Sequence, residues 1–171
     1  MVKTPPKLRV MVDANVLISG IVWPRWPREV LRHAVVGDFQ LVLSETVIRQ
    51  ARKRINNRFP EFLDEFEQFL RIHEYELVSD PTKEEIDQNK NLVRDLTDIP
   101  VALAAINAKV DYLVSEDKDL SVKNETTEEL RKHVTVLIAG TFLRDVMGWD
   151  SDELEKVRGR TWKDLKQSEK E

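Results

Sequence analysis

Five short apolar runs alternate with longer segments of helical periodicity, and this alternation restricts the fold more than any other feature of the chain. The runs lie at residues 8–12, 39–43, 75–78, 112–115 and 134–138. Strands that alternate with helices are typical of a parallel sheet with helices on both faces. At 171 residues the chain is long enough to bury the core of such a domain.

The segments between the runs predict helices, several of which have recognisable first residues. Pro27 suits the first turn of a helix, Ser44 can cap the next one, and Thr82 with Glu85 forms a capping box. Further helices are expected to begin at Pro60, Asp98 and Asp150, with a short one around residues 142–143.

The boundaries follow from the same pattern. The helix that starts at Thr82 is predicted to run to about residue 95, and no helix is predicted between Asp13 and a turn at residues 23–27. We expect residues 1–150 to form one domain. Residues 151–171 are expected to form a C-terminal helix and a charged tail.

Acidic residues follow the ends of two predicted strands. Asp13 comes directly after the first run, Asp117 and Asp119 follow the fourth, and Asp98 stands at the start of an apolar helix. The carboxyl ends of parallel strands share one crevice, where open α/β sheets bind ligands. We therefore expect these carboxylates to lie close together and to need a hard cation, for which Mg²⁺ and Mn²⁺ are suited.

Each of these acids also has an ordinary structural interpretation. Asp13 could be a turn residue or a helix cap, Asp98 an N-cap, and Asp117 and Asp119 loop residues in a polar hairpin. None of these explanations accounts for the acids as a set. Their joint placement favours a functional site.

Composition excludes several kinds of chemistry. The chain has no cysteine, hence no disulfide framework, thiolate zinc site or cysteine nucleophile. Its three histidines are far apart in sequence, which disfavours a zinc hydrolase. The first residues do not resemble a secretory leader, and no apolar stretch approaches the roughly 18 residues of a membrane span. We expect a soluble cytoplasmic protein with no membrane association.

The net charge of −4 does not indicate a nucleic-acid-binding protein, but the distribution of charge matters more than its sum. Residues 49–58 carry five cations and no acid. Among them, the candidates to follow an RNA phosphate backbone are Arg49, Arg52, Lys53 and Arg54. The alternative is a solvated helix face.

Two tryptophans, Trp23 and Trp26, follow the first strand and its acidic residue. They could stack on bases of a single-stranded nucleic acid. They could equally pack on a neighbouring helix or a second subunit.

Three segments in this order resemble the PIN-domain family, and in particular its branch of toxins from toxin–antitoxin pairs. They are VDANVLIS (residues 12–19), DLTDIPVALA (95–104) and DYLVSEDKDL (111–120). The resemblance covers about residues 8–145. It implies a three-layer α/β/α fold with a five-stranded parallel sheet of order 3-2-1-4-5, which places Asp13 and Asp117 on adjacent central strands.

The resemblance also implies a function and its cofactor. The family's acids hold one or two Mg²⁺ or Mn²⁺ ions and cleave single-stranded RNA, with a homodimer and an antitoxin protein as the implied partners. The catalytic and metal positions fall on Asp13, Asp98 and Asp117. A further metal-binding acid and two supporting polar positions are matched by Asp119, Asn15 and Ser115.

One position departs from the family. A glutamate usual in the helix after strand two is replaced by Gln50, which brings an amide oxygen but no charge. Glu45 lies more than a turn earlier and could reach the pocket only from the start of the helix. We expect low activity or a demand for high Mn²⁺. The alternative is a catalytically weak or inactive PIN module that binds RNA or protein.

Two other acidic α/β classes fit less well. A haloacid-dehalogenase-type phosphotransferase needs a second acid at position 15, where the chain has Asn15. A receiver domain needs paired acids early in the chain, and these are also missing.

Overall fold

The computed structural model describes residues 7–170, apart from the side chains of residue 126 and residues 167–170. Residues 1–6, on which the expected absence of a secretory leader partly rests, and residue 171 lie outside the described residues. Within the described chain, no helix has the length and apolar character required to cross a bilayer.

A five-stranded parallel sheet forms the centre of the molecule. The strands are β1 (Arg9–Val12), β2 (Gln40–Ser44), β3 (Glu76–Val78), β4 (Tyr112–Val114) and β5 (Thr135–Leu137), in the order β3-β2-β1-β4-β5. All four strand pairs are parallel. The predicted fold class and strand order are confirmed.

The central strand β1 is covered on both faces. Val10, Met11 and Val12 have no exposed surface, although successive side chains of a strand point to opposite faces. Met11 pairs with Val42 of β2 on one side and Leu113 of β4 on the other. The helices therefore bury the sheet from both sides, as expected for a parallel sheet.

Eleven α-helices are found among residues 7–170. The first six are α1 (Ala14–Val22), α2 (Trp26–Val35), α3 (Glu45–Arg58), α4 (Leu63–Ile72), α5 (Lys83–Gln88) and α6 (Ile99–Ala108). The others are α7 (Lys118–Ser121), α8 (Glu128–Arg131), α9 (Ala139–Asp145), α10 (Ser151–Val157) and α11 (Trp162–Lys170). Short 3₁₀ segments precede α4, α6 and α8, at Pro60–Phe62, Leu96–Asp98 and Glu125–Thr127.

Three helical segments differ from the sequence prediction. Helix α1 occupies a segment for which no helix was predicted, because seven of its nine residues are buried and its polar face is limited to Asn15 and Ser19. Helix α5 ends at Gln88 rather than near residue 95. The C-terminal segment forms two helices, α10 and α11, rather than one helix that fades into a tail.

The C-terminal segment folds back onto the first two helices through specific contacts. The indole of Trp26 donates to the carbonyl of Leu154, and that of Trp162 donates to the carbonyl of Val22, both at 2.9 Å. The guanidinium of Arg160 lies 2.7 Å from the buried carboxylate of Glu29. These contacts fix the start of α2 against the segment that follows β5.

Candidate metal centre

Asp13 lies directly beyond β1 and caps α1. Its Oδ1 accepts a hydrogen bond from the amide of Ala14 at 2.7 Å, and its Oδ2 accepts one from the hydroxyl of Ser115 at 2.8 Å. Its own amide donates to the carbonyl of Val114, at the end of the neighbouring strand β4. Asp13 as a whole residue is buried, with a relative exposure of 7 %. The helix-cap interpretation of Asp13 is therefore correct, and the cap lies where the two central strands end.

The loop after β4 continues this hydrogen-bond network. The buried Ser115 hydroxyl also accepts from the amide of Asp117 at 3.1 Å, and Oδ1 of Asp117 accepts from the amide of Asp119 at 2.9 Å. Asp117 thereby caps α7. Ser115 therefore links Asp13 to this loop.

Asn15 and Glu116 join α1 to the same loop. The side-chain oxygen of Asn15 accepts from the amide of Glu116 at 3.3 Å, and the carboxylate of Glu116 accepts from the amide of Ala139 at 2.8 Å. Asn15 holds the loop, which fits a supporting role rather than a ligand role. Glu116 ties the loop to the start of α9.

The third part of the site comes from the segment before α6. Asp95 precedes a 3₁₀ turn, Leu96–Asp98, in which side chains at positions i and i+3 lie one above the other. Asp95 and Asp98 are thus on one side, and each offers an oxygen within 4.8 Å of one from Asp119. Asp95 was part of the sequence motif but was not predicted as a site residue; its spacing of three from Asp98 was the available signal.

The electrostatics of the cluster are unfavourable without a cation. Burial, followed by the charge of Asp117 and a hydrogen bond to it, raises the pKa of Asp98 to about 8, with further contributions from the charges of Asp95 and Asp13. Burial also raises the pKa of Asp13, and the charge of Asp117 adds to this effect. Five carboxylates therefore interact, namely Asp13, Asp95, Asp98, Asp117 and Asp119.

One oxygen in this cluster lacks a hydrogen-bond donor. Oδ2 of Asp98 is buried and accepts no hydrogen bond from any residue in the described part of the chain. A buried acceptor in that position is costly unless something else satisfies it. Carboxylate oxygens are the ligands that Mg²⁺ and Mn²⁺ prefer, so the residues fit such an ion.

Helix α3 approaches the cluster from the side of β2. Arg54 is close enough for its charge to act on Asp13 and partly offset the rise of that pKa. Gln50 lies one turn earlier on the same helix, so it shares a face with Arg54. Glu45 is exposed in the first turn, five residues before Gln50 and therefore on a different face.

The candidate RNA-binding cations differ in their pairing. Arg49 binds Asp80 at 3.0 Å, and Arg52 forms two hydrogen bonds with Glu67 at 2.6 and 3.2 Å. No ion pair is found for the exposed Lys53 and Arg54 within the described residues.

The fold and these residues define an α/β protein with a carboxylate cluster at the carboxyl ends of its central strands. A family model described as PIN domain matches residues 9–119, which is more than half of the chain. The chain therefore belongs to the PIN-domain family, whose members are typically nucleases that use divalent metal ions. No curated protein matches the chain.

Proposed function

We propose that this protein is an endoribonuclease that hydrolyses phosphodiester bonds of single-stranded RNA with Mg²⁺ or Mn²⁺. The observation that carries the proposal is the group of five interacting carboxylates, in which the buried Oδ2 of Asp98 accepts no hydrogen bond from a described donor. The hydrogen bond between Asp98 and Asp117 requires that Asp98 keep its proton, and a bound cation would replace that proton.

The acids have separate tasks in this proposal. Asp13, Asp98 and Asp117 would hold the ions, with Asp119 and Asp95 completing the cluster. When bound, the cations lower the pKa of an attacking water and offset the charge that develops on the leaving oxygen. No protein nucleophile is required, in agreement with a chain that has no cysteine.

The protein residues orient this chemistry. Ser115 donates to Asp13 and accepts from the Asp117 amide, which fixes both carboxylates relative to each other. Asn15 restrains the loop through the Glu116 amide. Asp98 must release its proton to act as a ligand, because its pKa of about 8 leaves it largely protonated at neutral pH.

The substrate strand would need cations beside the acids. Lys53 and Arg54 are exposed and could meet phosphate oxygens directly, while Arg49 and Arg52 would have to exchange their present carboxylate partners. We therefore infer that Lys53 and Arg54 contribute more to RNA binding than Arg49 and Arg52 do.

The decisive experiment is cleavage of an end-labelled single-stranded RNA with Mn²⁺, Mg²⁺ or EDTA. Asp117→Asn is a suitable variant because asparagine also caps helices well. Asp150→Asn is its matched control, since Asp150 caps α10 through the same kind of hydrogen bond away from the cluster. We expect metal-dependent cleavage by the wild type and the control, and none by Asp117→Asn.

The second candidate function is a catalytically weak or inactive module that binds RNA or protein, and Gln50 favours it because one family carboxylate is missing. Well-folded wild type that cleaves no RNA at any metal level would select this alternative. A Mn²⁺-induced rise in thermal stability without cleavage would show that the site binds metal but does not catalyse.

We further propose, from the resemblance to the toxin branch, that the protein acts in the cytoplasm as a homodimer with an antitoxin partner. Induced expression of the wild type in a bacterial host should arrest growth, and Asp117→Asn should not. Light scattering of the purified protein tests the dimer. Growth that continues with an active nuclease would separate the enzyme from the toxin role.

A further inference from the structure

One narrow face of α1 leads away from the acidic cluster. Asn15 and Ser19 are half-buried, whereas the other seven residues of the helix are buried. They are four residues apart and lie on the same side of the helix, and Trp23 continues the series at its C-cap. This line extends about 12 Å along the helix axis, from the loop that carries Asp117 to the two tryptophans.

A cavity of about 370 Å³ lies at the far end of this line. Its walls include the rings of Trp23 and Trp26. The polar side chains in the walls are those of Arg25, Arg158, Ser19 and Glu116. Small-molecule sites are concave, largely apolar and supplied with a few polar groups, and this volume is within their usual range. Glu116 immediately precedes Asp117 in the chain, so the loop that carries this proposed metal ligand also contributes to the cavity wall.

The aromatic walls are held in place by other contacts. The indole of Trp26 donates to the Leu154 carbonyl, and its ring lies against Gly140, where a Cβ would come within 2.9 Å of it. Trp23 meets the ring of Phe59 edge-on at a centroid distance of 5.2 Å. Rigid aromatic surfaces lose little conformational freedom when a flat ligand stacks on them.

The charged walls retain free binding capacity. Arg25 uses its Nε–H on the carbonyl of Arg160 at 3.3 Å, which leaves its terminal nitrogens. Arg158 has one contact with Glu155 at 3.6 Å, and both side chains are about 70 % exposed, so this pair is weak. The Glu116 carboxylate is the one acid in the cavity wall, and it is already bonded to the amide of Ala139.

We propose that this cavity is a nucleotide subsite for the RNA strand that passes the metal centre. The base of the nucleotide stacks on Trp23, and the phosphate of the nucleotide binds Arg158 and Arg25. Ser19 and Glu116 offer hydrogen bonds to the edge of the base. The inference rests on the proposed function for its choice of ligand. The subsite includes Arg158, which lies outside the region matched by the PIN-domain model.

The test is binding of a fluorescein-labelled single-stranded RNA hexamer in EDTA, measured by anisotropy over a range of salt concentrations. Cleavage is absent under these conditions, so binding is measured without catalysis. The variants are Trp23→Leu and Arg158→Gln. The control is Arg144→Gln, because Arg144 is similarly exposed and pairs with a neighbouring carboxylate, outside the cavity wall. Thermal unfolding verifies that each variant is folded.

Two distinct signatures are expected. Trp23→Leu should weaken binding about fivefold or more without changing the salt dependence, because it removes a stacking surface. Arg158→Gln should weaken binding and reduce the slope of log K against log salt by about one, because it removes a phosphate contact. If the enzyme is active, both substitutions should raise KM for RNA cleavage with little change in kcat.

The outcomes separate this inference from the proposed function. If the wild type binds the hexamer, the two variants show these signatures and the wild type never cleaves RNA, the subsite is supported and the nuclease is rejected. Folded variants that bind like Arg144→Gln would overturn the subsite, whether or not the wild type cleaves. Wild type that does not bind the hexamer would overturn it as well.

Discussion

Asp98 shows most directly what a functional position costs at the scale of one residue. Its pKa of about 8 means that the folded protein holds a proton that the unfolded chain releases near pH 4. The folded state therefore binds more protons between these pKa values, and the free energy of unfolding of the metal-free protein falls as the pH rises through them. Asp98 is half-exposed, so solvent limits this loss of free energy of unfolding at high pH.

Asp98→Asn should therefore stabilise the metal-free protein. Thermal unfolding in EDTA should show a midpoint a few degrees above that of the wild type at pH 8.5 and a smaller difference at pH 5. Addition of Mn²⁺ should stabilise the wild type and have little effect on the variant. Asp145→Asn, at an exposed carboxylate paired with Arg144, is the control. A variant less stable than the wild type at both pH values would contradict this account.

Gln50 is the residue on which catalytic strength depends in our interpretation. It shares a helix face with Arg54, whose charge reaches Asp13. Gln50→Glu should raise Mn²⁺ affinity about tenfold, the equivalent of about 1.4 kcal/mol, because it adds a carboxylate ligand or counter-charge. Calorimetric titration measures this. Gln68→Glu on the exposed surface of α4 is the matched control, and equal affinities in both variants would remove Gln50 from the site.

The sequence predicted some of the cluster but not all of it. Asp13 and Asp117 could be brought together because both follow strands of a parallel sheet, and Asp98 joined them as the acid that starts an apolar helix; the family resemblance supported all three. Asp95 was missed although its spacing of three from Asp98 was visible, because it precedes the predicted start of the helix at Asp98 and only the 3₁₀ turn brings the two carboxylates to one side. The ion pairs of Arg49 and Arg52 join α3 to residues distant in sequence, which no local pattern reveals.

At the scale of the element, the sheet was more predictable than the helices. Each strand is a short, largely apolar run between turns and helix caps, and no predicted boundary differs from the observed one by more than one residue. Helix α1 was missed because burial on nearly every side removes the alternation between apolar and polar faces. The length of helix α5 was predicted too long because a capping box indicates where a helix starts but not where it ends.

Gly20 explains how two helices approach closely at one side of the sheet. A Cβ at this position would overlap the side chain of Leu31 and come within 3.2 Å of the Pro27 carbonyl oxygen. Gly20→Ala should destabilise the protein by about 1–3 kcal/mol through overpacking, although alanine alone favours a helix by about 1 kcal/mol. Urea unfolding provides the measurement. Ser19→Ala, one residue earlier, should change stability little, and a stabilised Gly20→Ala would show that α1 and α2 can separate at no cost.

At the scale of the whole molecule, the structure makes the C-terminal segment part of the same packed body as the sheet. Glu29 is buried and receives Arg160 at 2.7 Å as well as Arg32 at 3.0 Å, and Arg28 lies 4.8 Å from the centre of the Trp162 ring. Leu154 and Val22 accept hydrogen bonds across the same junction. Because the proposed nucleotide subsite includes Arg158, loss of this junction should affect RNA binding as well as stability.

Arg160→Met tests that connection. The Arg160 side chain is 17 % exposed and that of Glu29 is 5 % exposed, so removing the arginine leaves a buried carboxylate with Arg32 as its remaining partner in the described structure. Unfolding in urea should show a loss below the roughly 3–5 kcal/mol of a buried charge left without any partner, because Arg32 still compensates Glu29 in part. The double variant Glu29→Met/Arg160→Met should regain most of that stability, because it removes both charges. Two results together would contradict this account. Arg160→Met would leave the free energy of unfolding unchanged, and limited proteolysis would remove the residues beyond 150 while the rest of the protein stays folded. The domain would then end with β5 and α9, and the C-terminal segment would not belong to its packed core.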